Sequence, residues 1–129
     1  MPEFLASEEV RESRPLFSQG VKVGNTIFVS GQVAVDRGGN VVGKGDMTAQ
    51  THQVIRNIRA VLAAGGARLE DVVKLTMYVT DMARAGEARA VRLQYFKPDP
   101  PASTGVQGAA LGHPDLLIEI EAVAMVTTS

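Results

Sequence analysis

The chain has 129 residues, of which 45% are hydrophobic and 21% charged, and its formal net charge is −1. This length suits one domain, residues 1–129, with a hydrophobic core of its own. The balanced charge argues against nucleic acid and anionic membranes as partners. The absence of cysteine excludes disulfides, thiolate metal sites and a cysteine nucleophile. An acidic N-terminus and the lack of a long apolar run predict a cytoplasmic protein.

The first regular element predicted is a β-hairpin within Val21–Val29. Runs rich in β-branched residues flank Gly24, and glycine at the first loop position supplies the positive φ that a type II′ turn needs. Before the hairpin, residues 1–16 show little pattern beyond a short edge segment. After it, Ser30–Gln32 is predicted to end the strand, with Gly31 allowing close approach of a backbone or a ligand.

A long helix is predicted to begin near Met47, with Asp46 or Thr48 as its N-cap, and to end at Gly65. Its apolar residues recur with helical spacing. They are Val54, Ile58, Val61 and Leu62.

A second helix is predicted over Met82–Phe96, with Asp81 as its N-cap. Its buried side is predicted to carry Ala88, Val91 and Tyr95. The default prediction for the arginines of this helix is a solvated face, formed by Arg84, Arg89 and Arg92. Arg89 is retained as a candidate site residue, because a helix residue can point into a cleft between subunits.

Further strands are predicted at Val72–Thr80, Ala102–Ala110 and Leu116–Val126. The buried face of the first is predicted to hold Val73, Leu75, Met77 and Val79. In the last, LLIEIEAVAMV, strand alternation puts Glu119 and Glu121 on one face with three apolar residues. Since neither face is polar throughout, we expect this strand to be covered on both sides.

The order of hairpin, helix, strand, helix, strand, strand indicates an α+β fold in which two helices cover one face of a mixed sheet. No third helix remains for the other face, so a monomer would expose an apolar patch of the kind found at interfaces. The sequence therefore predicts an obligate oligomer. His52 and His113 are isolated and read as helix-surface and turn residues, and no phosphate-binding or metal motif is present, so neither a metal nor an organic cofactor is predicted.

Two interpretations of the paired glutamates remain open from the residues alone. Buried carboxylates need partners, so Glu119 and Glu121 could accept hydrogen bonds and only hold the structure. Alternatively, one of them could act as a general base. For an isolated pair of glutamates the structural interpretation comes first.

Five segments change this balance, namely Phe17–Gln32, Asn57–Gly65, Asp71–Asp81, Pro101–Gln107 and Ile118–Ala122. Their order and spacing resemble those of the RidA/YjgF family, the reactive-intermediate deaminases. The resemblance extends from about residue 15 to residue 126. It implies a chorismate-mutase-like fold and a homotrimer with three clefts between subunits. It also implies hydrolysis of imines that form from enamines, giving a keto acid and ammonia.

The resemblance also implies roles for single residues. The family's catalytic glutamate falls on Glu119, which would activate the attacking water. Ser30 matches a cleft serine that contacts the substrate, and Gly31 lies beside it. Gly105 matches a residue whose carbonyl places the water.

Two positions depart from the family pattern. Phe17 stands where many members have Tyr, and Ser103 stands where deaminating members have an Arg that binds the substrate carboxylate. Loss of such a contact costs roughly 1.5–3 kcal/mol. The sequence therefore predicts slow deamination of 2-imino acids and an improvement on Ser103→Arg. Arg89 is the candidate for a replacement charge.

The leading hypothesis is a cytoplasmic homotrimeric hydrolase that acts on a small-molecule imine, enamine or related substrate. In this hypothesis Glu119 is the general base, and no metal or organic cofactor, nucleic acid or membrane takes part. The alternative is a non-catalytic trimer whose clefts bind a metabolite, which the missing Arg and Tyr favour. RNA cleavage, which has also been attached to this family, is least favoured because the chain lacks a basic patch and a histidine pair.

Overall fold

The computed structural model describes residues 1–127. Within them one sheet contains the strands β1 (Glu3–Leu5), β2 (Gly20–Val23), β3 (Thr26–Val33), β4 (Val72–Val79), β5 (Ala102–Gln107) and β6 (Ile118–Met125). The helices are α1 (Met47–Ala64) and α2 (Ala85–Tyr95), with short 3-10 helices at Leu69–Asp71 and Met82–Arg84.

The strand order across the sheet is β1-β2-β3-β6-β4-β5. Strands β4 and β5 run parallel, and every other neighbouring pair is antiparallel. The predicted α+β architecture with a mixed sheet and two helices is therefore confirmed. Strand β6, the last in the chain, lies between β3 and β4, so its acidic residues stand in the middle of the sheet rather than at an edge.

Helix α1 forms as its sequence predicts. The side chain of Asp46 accepts a hydrogen bond from the amide of Ala49 at 3.0 Å, and Gly65 is the C-cap. The apolar stripe is fully buried against β3 and β6 and consists of Val54, Ile58, Val61 and Leu62. Each such buried side chain contributes about 1.5–3 kcal/mol relative to an exposed one.

The hairpin between β2 and β3 also matches its prediction at the turn. Gly24 has φ +59°, whereas no residue other than glycine in the described chain has a positive φ. This combination fits a type II′ turn, in which only the first loop residue needs a positive φ.

The predicted end of β3 at Ser30–Gln32 is wrong. The strand continues to Val33, and its register against β6 shifts between Val29 and Gln32. Ser30 and Gly31 on β3 thus lie opposite the single residue Glu121 on β6, which is the geometry of a β-bulge. A bulge accommodates the glycine that the sequence pattern treated as a stop.

Three further details differ from expectation, namely the buried residue at the start of β4, the bounds of the second helix and the end of β5. Val73 is 45% exposed because the β4–β6 register shifts beside it, and Val72 occupies the buried position instead. The second helix begins at Ala85 after a 3-10 turn, and its last apolar contact comes from the buried Phe96, while Tyr95 is half-buried. Strand β5 ends at Gln107 rather than at residue 110.

The two faces of the sheet differ in cover. The face toward the helices buries Ile118, Ile120, Ala122 and Ala124 of β6. The other face, called the open face below, carries Glu119, Glu121 and Met125 of β6 and exposes Phe28 of β3. The sequence predicts that β6 is covered on both faces, but no element within residues 1–127 covers the open face. No helix of this described part has the length and apolar character needed to span a membrane.

Candidate functional site

Glu119 lies on the open face, opposite Val33 of β3 and Tyr78 of β4. Its side chain is half-buried and forms no hydrogen bond with any residue in the described part of the chain. Burial raises the pKa of the Glu119 carboxyl above its ordinary value, and the nearby carboxylate of Glu121 raises it further. The group is therefore available to accept a proton from a bound water.

Glu121 has a different environment from Glu119. It is exposed, and its Oε1 accepts a hydrogen bond from the hydroxyl of Tyr78 at 2.9 Å. The same contact raises the pKa of Tyr78, because the ionised phenol would face a carboxylate. Of the two interpretations of the glutamate pair, the structural one fits Glu121 and the catalytic one fits Glu119.

Gly31 lies in the bulge of β3, directly against Glu119. A Cβ added at Gly31 would overlap Oε2 of Glu119 and lie 2.8 Å from its Cδ. Glycine at this position thus lets the carboxylate rest on the β3 backbone, and the bulge turns that backbone toward it.

A cavity of about 380 Å³ adjoins Gly31. It lies between the N-terminal segment 10–17 and residues 31–35 of the chain, and Phe17 lines it with a half-exposed ring. Ser30 is fixed beside it, since its hydroxyl donates to the carbonyl of Ser18 at 2.6 Å. The volume is in the range of small-molecule sites. Phe17, Ser30, Gly31 and Glu119 therefore belong to one region.

Ser103, Gly105 and Arg89 belong to a second region, at the edge of the sheet formed by β5 and α2. Ser103 pairs with Leu75, whose side chain is buried beneath the helices, whereas Glu119 pairs with Tyr78 of the open face. Strand β4 separates β5 from β6. A single chain therefore does not bring Ser103 and Glu119 together.

Arg92, for which the sequence predicts a solvated face, contacts one of the predicted site residues instead. It is half-buried, and its Nη2 donates to Ser103 Oγ at 2.9 Å. Burial, and then the neighbouring charge of Arg89, lower the pKa of Arg92. The signal was present in the helical period, since Arg92 follows the buried Ala88 by four residues.

The histidines have structural partners. His52 Nδ1 lies 2.7 Å from the hydroxyl of Tyr95, and His113 Nδ1 accepts from the amide of Asp115 at 3.0 Å. Residues 1–127 contain no group of three or more His, Asp or Glu side chains arranged to hold a metal ion.

Comparison with known proteins identifies the family. The family model described as Endoribonuclease L-PSP matches residues 10–126. A RutC family protein of Pyrococcus horikoshii is 39% identical over 124 residues, which cover 96% of this chain and 98% of that protein. The structure of RidA from an Antarctic Psychrobacter aligns with a TM-score of 0.90 at 31% identity, covering 96% of this chain and 99% of that one. Escherichia coli TdcF, solved with bound serine, aligns with a TM-score of 0.89 at 27% identity, covering 97% and 99%. The chain therefore belongs to the RidA/YjgF family.

Proposed function

We propose that the chain is a hydrolase of small-molecule imines or enamines, in which Glu119 is the general base. The observation that supports this most is the half-buried Glu119 carboxylate, which lacks a hydrogen-bond partner among residues 1–127 and has a raised pKa. A general base works best when its pKa approaches the operating pH. The proposal places the activity in a single domain of residues 1–129, in the cytoplasm, without a metal or organic cofactor.

The reaction can be written for these residues with protons balanced. Glu119 takes a proton from water as the water oxygen bonds to the imine carbon, and the C=N double bond becomes a C–N single bond. The nitrogen gains two protons, one returned by Glu119 and one from the new hydroxyl group. That hydroxyl becomes the carbonyl oxygen as the C–N bond breaks and ammonia leaves. The product is a carbonyl compound. The Gly105 carbonyl places the water in this scheme, as it would by likeness to the family, and Phe17, Ser30 and Gly31 shape the substrate site.

A homotrimer is part of this proposal. Ser103 and Glu119 lie on opposite faces of the sheet in one chain, so they can serve one substrate only if neighbouring copies contribute to each cleft. The open face supports such an assembly, because the exposed apolar side chains of Phe28 on β3 and Met125 on β6 share it with the two glutamates.

Light scattering should give a mass about three times the 13.7 kDa of the chain. Phe28→Glu, which places a charge among the apolar side chains of the open face, should shift the mass toward monomer. Ala63→Glu, on the exposed side of α1, introduces the same charge away from that face and should leave the mass unchanged. A wild-type monomer at micromolar concentration would contradict the proposal.

The pH dependence of hydrolysis should report the raised pKa of Glu119. The base is active only when ionised, so kcat/KM should rise as pH increases. The rising limb of this pH–rate profile should lie at higher pH than the ordinary pKa of a glutamate would give. The Glu121 charge contributes to that shift. Neutralising it with Glu121→Gln should therefore move the limb to lower pH, as measured by kcat/KM across the limb for both proteins. A limb that moves to higher pH in the variant would contradict the assigned cause.

A non-catalytic trimer that binds a metabolite is the second candidate. The departures at Phe17 and Ser103 favour it, and the serine bound to TdcF supports an amino-acid-sized ligand for either function. Turnover on a panel of imines and enamines, compared with binding alone, separates the two. We do not propose RNA cleavage, although the matching family model is described as an endoribonuclease, because both histidines are occupied by structural contacts.

A further inference from the structure

The cavity between α2 and the start of β5 has a cationic end. Arg89 and Arg92 line this space of about 430 Å³ together with Ser103. Three apolar residues complete the lining, Leu93, Phe96 and Pro100. A small apolar cavity with a few convergent polar groups is the usual form of a site for a small organic ligand.

Arg92 is half-buried without an anionic partner among the described residues. Arg14 pairs with Glu12 at 2.8 Å and Arg84 with Glu87 at 3.0 Å, whereas Arg92 forms no ion pair within residues 1–127. Its polar contact is the hydroxyl of Ser103, and its Nη1 lies 4.0 Å from the sulfur of Met77. A half-buried guanidinium beside a second arginine lacks the counter-charge that such groups normally acquire.

We propose that Arg92 and Ser103 bind the carboxylate of the substrate, so that a helix arginine replaces the strand arginine absent at position 103. The inference rests on the proposed function for its catalytic consequence, but the binding of a carboxylate is testable separately. The guanidinium offers a fork of donors to the two oxygens, and the Ser103 hydroxyl adds a third. The substrate class is then a 2-imino acid with a small apolar side chain, which contacts Leu93 and Phe96.

This assignment reverses one expectation from the sequence. If the positive charge had been lost with the strand arginine, Ser103→Arg would improve activity on 2-imino acids. If Arg92 already binds the carboxylate, a second guanidinium at position 103 displaces it from its hydroxyl contact and repels it. Ser103→Arg should then fail to lower the KM for 2-imino acids.

Binding of pyruvate provides the direct test, since pyruvate is the 2-keto acid that 2-iminopropionate yields. Arg92→Met, which removes the charge and keeps an apolar stem, should weaken pyruvate binding by about tenfold to a hundredfold, measured by calorimetry or NMR titration. Arg92→Lys should restore part of the affinity. Pyruvamide, the neutral counterpart, should bind the wild type and Arg92→Met equally. Arg59→Met removes an exposed arginine of α1 and should change neither ligand.

Kinetics on 2-iminopropionate generated in place supply the second measurement. Arg92→Met should raise KM with little change in kcat, as expected for a contact made equally in ground and transition states. Circular dichroism and light scattering check folding, and Arg92→Gln replaces Arg92→Met if the latter does not fold. Wild type that does not bind pyruvate, or variants at Arg92 with unchanged affinity and KM, would overturn the inference. Arg92-dependent pyruvate binding without any turnover would instead refute the proposed hydrolase and leave the carboxylate site standing.

Discussion

Glu119→Gln should lower kcat for imine hydrolysis by about 10²–10⁴-fold, the usual contribution of a general base. Glutamine has nearly the same shape as glutamate but cannot take a proton from water. The substitution leaves no partner unsatisfied, because the Glu119 side chain has no hydrogen bond to a residue of the described chain. The loss should therefore appear as a change in rate and not as a loss of fold. Steady-state ammonia release, above the spontaneous background, measures it.

The raised pKa of Glu119 also determines whether Glu119→Gln raises or lowers the stability of the fold. Because the folded pKa of Glu119 lies above its unfolded value, ionisation opposes folding. The wild type therefore loses stability as pH rises from the unfolded pKa through the folded one. Glu119→Gln removes this dependence, so its Tm at neutral pH should equal or exceed that of the wild type.

Glu121→Gln is the matched control for the base assignment. It makes the same chemical change on the same face of β6, but at the carboxylate that accepts from the Tyr78 hydroxyl. It should retain most of the wild-type kcat, apart from the shift of the pH limb, and lower Tm slightly. Full activity in Glu119→Gln would show that another group activates the water.

The parts of the fold that follow from local pattern could be predicted from the sequence. The alternation in β6 placed Glu119 and Glu121 on one face, and the period of α1 identified its buried stripe, because both are set by backbone geometry alone. Gly24 marked its turn for the same reason. The shortage of helices correctly indicated that one sheet face would be bare.

The parts that depend on pairing between distant segments could not be predicted. Whether Ser30–Gln32 ends β3 or bulges depends on the register against β6, which comes about ninety residues later in the chain. The exposure of Val73 has the same origin, since a register shift beside it gives the buried position to Val72. The contact of Gly31 with Glu119 follows from that bulge, so the sequence could suggest a close approach at Gly31 but not its partner.

The contact of Arg92 with Ser103 could not be predicted for a different reason. Charged residues on a helix are solvated by default, and a long side chain can bury its stem while its charged group reaches a polar atom. The helical period places Arg92 near the buried side of α2, but only the packing of α2 over β5 shows that its guanidinium meets Ser103.

Gly31→Ala should lower kcat by about a hundredfold, because displacing a catalytic group by roughly 1 Å can cost that much. The new Cβ would overlap Oε2 of Glu119 and force the carboxylate away from the β3 backbone. The displaced atoms are the flexible end of a half-buried side chain, so Tm should change little. Gly86→Ala is the control, since a Cβ there meets no atom within 4 Å and alanine suits the α2 helix.

The same substitution tests whether Gly31 acts through Glu119 or through the cavity that it lines with Phe17. If the alanine works by displacing the base, it has nothing further to remove once the base is absent. Gly31→Ala should therefore cost about a hundredfold in the wild type and almost nothing in the Glu119→Gln background, which is the non-additivity of two groups acting as a unit. Equal losses in both backgrounds, with a raised KM, would mean that the methyl group obstructs substrate entry and that the position of the carboxylate is not set by Gly31.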